Sequence, residues 1–158
     1  MHAYISNEEA TRLVETYSDM IYRLALIRTK STHDAQDILQ DVFLRYIKSR
    51  PVFESSEHEK AWLIRVTINR ANSILSSAWN NRTLPYDDAI GGKEEAAEPS
   101  ELMLAVASLP LAMRTAIHLH YFEGLSVGEI AQVMRKSESA VKSLLFRARK
   151  HLKELLET

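Results

Sequence analysis

Apolar side chains recur along most of this chain at spacings of three and four, the period of a helix with one buried face. Leu13, Tyr17, Met20, Ile21, Leu24 and Ala25 form one such run, and Ser6-x-x-Glu9 ahead of it has the form of a capping box. Ala35, Ile38, Leu39, Val42, Phe43, Tyr46 and Ile47 form a second, with Thr32 positioned to cap it and Pro51 to stop it. Ser56-x-x-Glu59 reads as another capping box, opening a long run through Trp62, Leu63, Val66, Ile74 and Leu75 with room for a break near Thr67–Asn72. Further on, Ser100 is placed to cap a short helix ending at Leu109-Pro110, and Pro110 suits the first turn of the next, which runs to Phe122 and stops at Glu123-Gly124. Ser126-x-x-Glu129 is a third box, opening a short helix to Met134, and Ser137 caps a last helix over about Glu138 to Leu156. No stretch alternates as a strand does. The expected fold is all-α, with three or four helices in each of two domains.

The punctuation residues say where the domains part. Gly91-Gly92 and Pro85 to Pro99 bracket Thr83–Ser100, a polar, acidic stretch poor in large apolar residues. It reads as a linker. The expected layout is therefore two small helical domains, 1–82 and 101–158, joined by an acidic linker at 83–100, with a helix-turn-helix in the second.

Composition narrows the class. The chain has 158 residues, 46% hydrophobic and 26% charged, an ordinary globular balance. It has no cysteine, which excludes a disulfide scaffold, a Cys-ligated zinc site and a thiol nucleophile, and fits a reducing cytosol. It has no apolar run of about 18 residues, so membrane insertion is not expected. The start, Met1-His2-Ala3-Tyr4, lacks the basic then apolar pattern of a secretory signal, and a cytoplasmic location is expected. The net charge of −1 argues against a nucleic-acid partner until it is resolved along the chain. Residues 1–82 hold 11 basic and 10 acidic side chains (+1), residues 83–100 hold one and five (−4), and residues 101–158 hold eight and six (+2). Between Lys60 and Tyr86 there is no acid, and from Arg135 to Lys153 seven bases meet one acid, Glu138. Two cationic patches flank an anionic connector, and local field rather than net charge attracts a polyanion. A solvated helix face would carry charge in the same way, so the runs alone do not decide.

The helical wheel adds more. A short helix, Val127–Met134, meets a long one through the tight polar turn Arg135-Lys136-Ser137, with the small Ala131 where the two must cross. That is the form of a helix-turn-helix, whose second helix fits the major groove. On the last helix Val141, Leu144, Leu145, Ala148, Leu152, Leu155 and Leu156 share one stripe. Lys142, Phe146, Arg149, Lys150 and Lys153 lie opposite, with Ser139, Ser143 and Arg147 beside them. Basic side chains there reach phosphates or guanine edges, serine bonds to either, and Phe146 is suited to a thymine methyl.

At this point the chain resembles a known family along nearly its whole length. Leu109-Pro110, Arg114, Tyr121-Phe122-Glu123-Gly124-Leu125-Ser126, Glu129-Ile130-Ala131, Ser139-Ala140-Val141-Lys142-Ser143 and Arg147-Ala148-Arg149 resemble region four of bacterial sigma factors. Asp34 to Phe43 resembles the polymerase-binding helix of their region two, and Ala61 to Ala71 the promoter-melting segment. Two such halves and a short linker are the layout of the extracytoplasmic-function subgroup of the sigma-70 family.

The resemblance implies a dissociable subunit that directs core RNA polymerase to promoter DNA, with no catalytic centre and no cofactor. It implies that Asp37, Gln40, Asp41 and Leu44 dock on polymerase. Asp34, Asp37 and Asp41 share one helix face by spacing alone. It implies that the downstream promoter element is opened and held by Arg65, Asn69, Arg70, Asn72, Ser73, Trp79 and Arg82: arginines for phosphates, polar groups for base edges, an aromatic for a flipped base. The matching asparagine of the family's base pocket is Asn69. Trp62, at helical spacing with Val66, reads rather as core. The upstream element falls to Arg135, Lys136, Ser139, Lys142, Ser143, Phe146, Arg147 and Lys150. An anti-sigma factor is a further partner that the subgroup often has.

One departure stands out. Where the family carries a dense basic tract after the melting helix, this chain has Ser76-Ser77-Ala78-Trp79-Asn80-Asn81-Arg82. Fewer phosphate contacts mean weaker binding by the free chain. The competing readings are a sigma-like adaptor without melting activity and a helix-turn-helix regulator. No phosphate loop, Gly-x-Ser-x-Gly or His-Glu-x-x-His motif supports an enzyme. His118 and His120, two apart on a helix, point away from each other and do not converge on a metal.

Overall fold

A computed structural model describes residues 5–80 and 100–157, with side chains from 78 to 80 excepted. Arg82, all of the acidic linker but Ser100, and the side chain of Trp79 therefore lie outside the described residues. Within them the chain is helical, with no strand. Three long helices come first: α1 (Asn7–Thr29), α2 (Thr32–Ser49) and α3 (Ser56–Asn80). Four shorter ones follow: α4 (Glu101–Ala107), α5 (Leu111–Ile117), α6 (Val127–Met134) and α7 (Glu138–Glu157), with a π-helical turn at His118–Phe122 between α5 and α6.

The caps explain the boundaries. Ser6, Ser100 and Ser126 each accept from the backbone N–H three residues on, as does Ser137 from Ala140. At Ser126 the box is reciprocal, Glu129 accepting in turn from the Ser126 N–H at 2.8 Å. Two expected caps move. Ser31, not Thr32, caps α2, because its hydroxyl reaches the Asp34 N–H at 3.1 Å. Ser55 accepts from His58 N–H at the start of α3, and Glu59 is no capping residue at all: it is buried. Nor does α3 break near Thr67–Asn72. The Thr67 hydroxyl donates to the Leu63 carbonyl inside the helix at 2.7 Å and leaves the ladder intact.

Three helices end on a left-handed residue that is not glycine: Lys30 (φ 59°), Arg50 (φ 47°) and Arg135 (φ 59°). Each turns its N–H back to the carbonyl four residues earlier. All three are cations, and a positive charge at a helix C-terminus meets the negative end of the dipole, which offsets part of the backbone cost.

Leu13, Ile21, Leu24, Ala35, Ile38, Val42, Leu63 and Ile64 close α1, α2 and α3 around one core. Ile117, Leu119, Ile130, Val133, Val141, Leu144, Leu145 and Ala148 do the same for the later helices. The buried stripe of α7 is shorter than its sequence pattern: Leu155 (46% exposed) and Leu156 (42%) lie outside the core. The two groups of helices also touch, α5 against α1 and α6 against α3.

Candidate nucleic-acid and polymerase interface

The turn between α6 and α7 is built by close approach. A β-carbon on Gly128 would lie 3.3 Å from the Glu138 carboxylate, and Ala131, the small residue at the expected crossing, is buried with its carbonyl accepting the N–H of Lys136. Arg135 in its left-handed conformation makes the corner. The core stripe of α7 is thus fixed inward by Val141, Leu144, Leu145 and Ala148, and the opposite face is fixed outward. Arg135, Lys136, Ser139, Lys142, Ser143, Phe146, Arg147 and Lys150 are all exposed. Phe146 is 65% exposed, an aromatic on a cationic ridge with no core to join. Arg149 is partly held by Tyr121, whose hydroxyl accepts from its Nη1 at 2.9 Å.

On α2 the residues expected to meet polymerase fall together. Asp37, Gln40 and Leu44 are exposed, Leu44 at 55%, with Ile47 one turn on. Asp41 differs. It pairs with Arg45 at 2.8 Å and with Arg70 of α3 at 2.9 Å, so it ties α2 to α3 as well as facing outward. Arg70 is consequently occupied, an ion pair that its sequence context does not reveal.

The α3 residues expected at the downstream element split in the same way. Asn69, Asn72 and Ser73 are exposed, and Arg65 is half-buried. Asn72 is not idle, however: its Oδ1 accepts from Nη2 of Arg28. Arg65 lines a cleft with Trp62, His58 and Glu57 on one side and Glu129 and Gln132 of α6 on the other. Trp62 packs as core, edge-on to Tyr46 at 5.8 Å and to Phe53 at 6.0 Å.

Two buried carboxylates escaped sequence reading. Glu59 accepts from Arg12 at 3.2 and 2.9 Å, from Tyr17 at 2.8 Å and from Tyr46 at 2.8 Å. Burial opposes its charge, but the donated hydrogen bonds of Arg12, Tyr46 and Tyr17 outweigh this and hold it below the usual carboxylate range. Burial and the same hydrogen bonds push both tyrosines up to about 12. Glu123 is the second. The π turn at His118–Phe122 adds a residue to the helical repeat and brings positions five apart onto one side. His118 Nε2 therefore reaches the Glu123 carboxylate at 2.8 Å, and Arg23 of α1 donates to both of its oxygens at 3.1 Å. The histidines part as their spacing implies: His118 is buried, and His120 turns to the Leu125 carbonyl at 2.9 Å.

Comparison with known proteins fits this arrangement. The family model described as sigma-70 region 2 matches residues 13–80, and that described as sigma-70, region 4 matches residues 100–152. The ECF RNA polymerase sigma factor SigM of Bacillus subtilis is 34% identical over 155 residues, covering 90% of this chain and 92% of its own length. The chain belongs to the extracytoplasmic-function sigma factors. The ECF RNA polymerase sigma factor BldN of Streptomyces coelicolor is 28% identical, and the match takes in 92% of this sigma factor but 59% of BldN. Among solved structures, the sigma factor RpoE in complex with the anti-sigma factor NepR from Bartonella quintana superposes with a TM-score of 0.76 at 22% identity, over 96% of this sigma factor and 98% of that chain. CnrH in complex with the cytosolic domain of CnrY gives 0.68 at 21% over 96% and 90%. These two share the fold. No helix of the described residues is long and apolar enough to cross a membrane.

Proposed function

We propose that this sigma factor directs core RNA polymerase to promoters by reading the upstream element with α7 and the downstream element with α3, while α2 docks on the enzyme. The observation that carries the reading is the outward face of α7: Lys142, Phe146, Arg147 and Lys150 stand exposed on a helix whose other face is packed against α5 and α6. A helix so held presents its ridge to a groove without rearrangement of its own core. Arg135, Lys136, Ser139 and Ser143 complete the ridge. Asn69, Asn72 and Ser73 supply the polar contacts to an opened strand, with Arg65 on phosphate. Asp37, Gln40 and Leu44 form an acidic and apolar docking patch, and Asp41 braces it.

The domain limits follow from the same reading, 1–82 and 101–158 with an acidic connector between. Polymerase and promoter DNA are the partners, with an anti-sigma factor as a third, and the working place is the cytoplasm. Photo-crosslinking from position 142 in the holoenzyme tests the assignment. Labelling of the upstream promoter element is expected, and labelling confined to polymerase or to the downstream element would contradict it.

A further inference from the structure

Asn72 and Ser73 follow Asn69 by three and four residues, so the three share one exposed face of α3. Only Asn72 has a side-chain hydrogen bond among the described residues, its Oδ1 accepting from Nη2 of Arg28. Arg28 is itself fixed. It is buried, its Nη1 donates to Thr115 Oγ1 at 2.7 Å, and Arg114 donates to its backbone carbonyl at 3.3 Å and to that of Ile27 at 2.6 Å. The Thr115 hydroxyl is oriented in turn, donating to the Leu111 carbonyl at 2.8 Å. No carboxylate meets Arg28 among the described residues, so Thr115 and Asn72 hold its guanidinium between them.

The chemistry of this pair decides which way the amide points. A guanidinium has five N–H donors and no acceptor. Burial and the charge of Arg114 bring Arg28 down to about 10, so at neutral pH it stays protonated. The end of the Asn72 amide that faces it is therefore the carbonyl, and the NH2 is left for a partner outside the protein. An unrestrained asparagine turns either its oxygen or its nitrogen to a base, and it pairs with adenine by using both at once. With Oδ1 turned to Arg28, that two-sided pair is lost. The donors that remain suit a base carbonyl, O4 of thymine or O6 of guanine. Cytosine and adenine carry an amino group at the same place on the pairing edge, and donor facing donor is unfavourable.

We propose that Arg28 is a positioning residue for the downstream element: it holds Asn72 as a hydrogen-bond donor, so that one position of the opened strand is selected for a keto base, thymine or guanine, over an amino base, adenine or cytosine. The proposal rests on the functional reading above and deepens it, naming the base chemistry that Asn72 reads. Asn69 carries no such restraint among the described residues and is free to offer either end of its amide.

The test uses the holoenzyme, assembled from core polymerase and the full chain, on forked DNA from a promoter located by its chain-dependent start site. The downstream element carries each of the four bases in turn at every position, and binding is measured. One position should favour thymine and guanine over adenine and cytosine by about tenfold, the difference between a made and an unmade hydrogen bond. Asn72→Asp leaves one carboxylate oxygen on Arg28 and presents the other outward as an acceptor. The preference at that position should reverse toward adenine and cytosine, with the other positions unchanged. Arg28→Met frees the amide to turn either way and should level the preference at that position alone, whereas Arg28→Lys keeps a donor for Oδ1 and should restore much of it. A merely structural role for Arg28 would weaken binding to all four bases alike and leave the preference as it was. That result would overturn the proposal, as would an Asn72→Asp holoenzyme with the original preference. Should Arg28→Met unfold the chain, which a circular dichroism melt reports, the Asn72→Asp reversal decides alone. Failure of the promoter reading itself would show differently, as no base preference at any downstream position, and would overturn this inference with it.

Discussion

The Nε of Arg114 donates to the carbonyl oxygen of Ile27 at 2.6 Å, so a side chain from α5 caps the C-terminal turn of α1, 87 residues earlier in the chain. The last turn of a helix leaves its carbonyls without intrahelical partners. Replacing Arg114 by Met removes the donor from all three carbonyls and should cost about 2–4 kcal/mol, measured by urea unfolding. Arg114→Lys keeps the charge but not the fork, and should recover only part of the loss.

Glu59 is the acceptor on which Arg12, Tyr17 and Tyr46 converge. Glu59→Gln keeps the shape but weakens every one of these bonds, and a loss of about 1–3 kcal/mol is expected in the same unfolding experiment. Polymerase binding by the folded fraction should be unchanged, since Glu59 is buried away from Asp37, Gln40 and Leu44.

The titration of these groups sets the pH range of stability. Glu59 and Glu123 are both held below the ordinary carboxylate value of 4.5, so each contributes stability above that value and loses it as the pH falls through its folded-state value. Tyr17 and Tyr46 shift the other way, to about 12 from 10, so their contribution is full below pH 10 and is lost as the pH rises through 12. The melting temperature should fall at both limits. In Glu59→Gln the fall should be shallower on both sides, while a variant curve parallel to the original would refute this assignment.

Much of this is legible in the sequence, and the failures have a common cause. Ser6, Ser100, Ser126 and Ser137 can be read as caps because a cap is a local event, decided within three residues. The core stripes of α1, α2 and the first part of α7 can be read because burial repeats with the helix. Glu59 misleads because its spacing from Ser56 imitates a box, whereas its true partners lie 42 and 13 residues away. Arg70 and Asn72 look free for DNA in the sequence, yet Asp41 and Arg28 occupy them, and no periodicity carries that information. The pairing of His118 with Glu123 needs the π turn, which an α-helical wheel does not contain. Thr32 loses the cap to Ser31, a choice between adjacent hydroxyls that the backbone makes.

The proposed recognition face of α7 yields a salt-dependent prediction. Lys142→Ala and Arg147→Ala should each weaken holoenzyme binding to the upstream element and lower the slope of log affinity against log salt by about one for each phosphate left without its cation. Phe146→Ala should weaken binding without changing the slope, because an apolar group releases no counter-ion. Equal slopes for all three variants would count against the assignment.

On α2, Asp37→Arg should impair assembly with core polymerase while leaving the far-ultraviolet circular dichroism unchanged, since Asp37 is exposed and its side chain meets the exposed His33 ring at 3.4 Å. Asp41→Arg should also lower the melting temperature, because it breaks the link from α2 to Arg70.

Transcription with purified components tests the promoter-directing role most directly. Core polymerase alone and core polymerase with this chain are given the same fragments of the source genome, and the 5′ ends of the transcripts are sequenced. A discrete set of start sites is expected that depends on the chain, shares an upstream and a downstream element, and is lost with Asp37→Arg. Polymerase that binds the chain yet starts nowhere new would contradict that role.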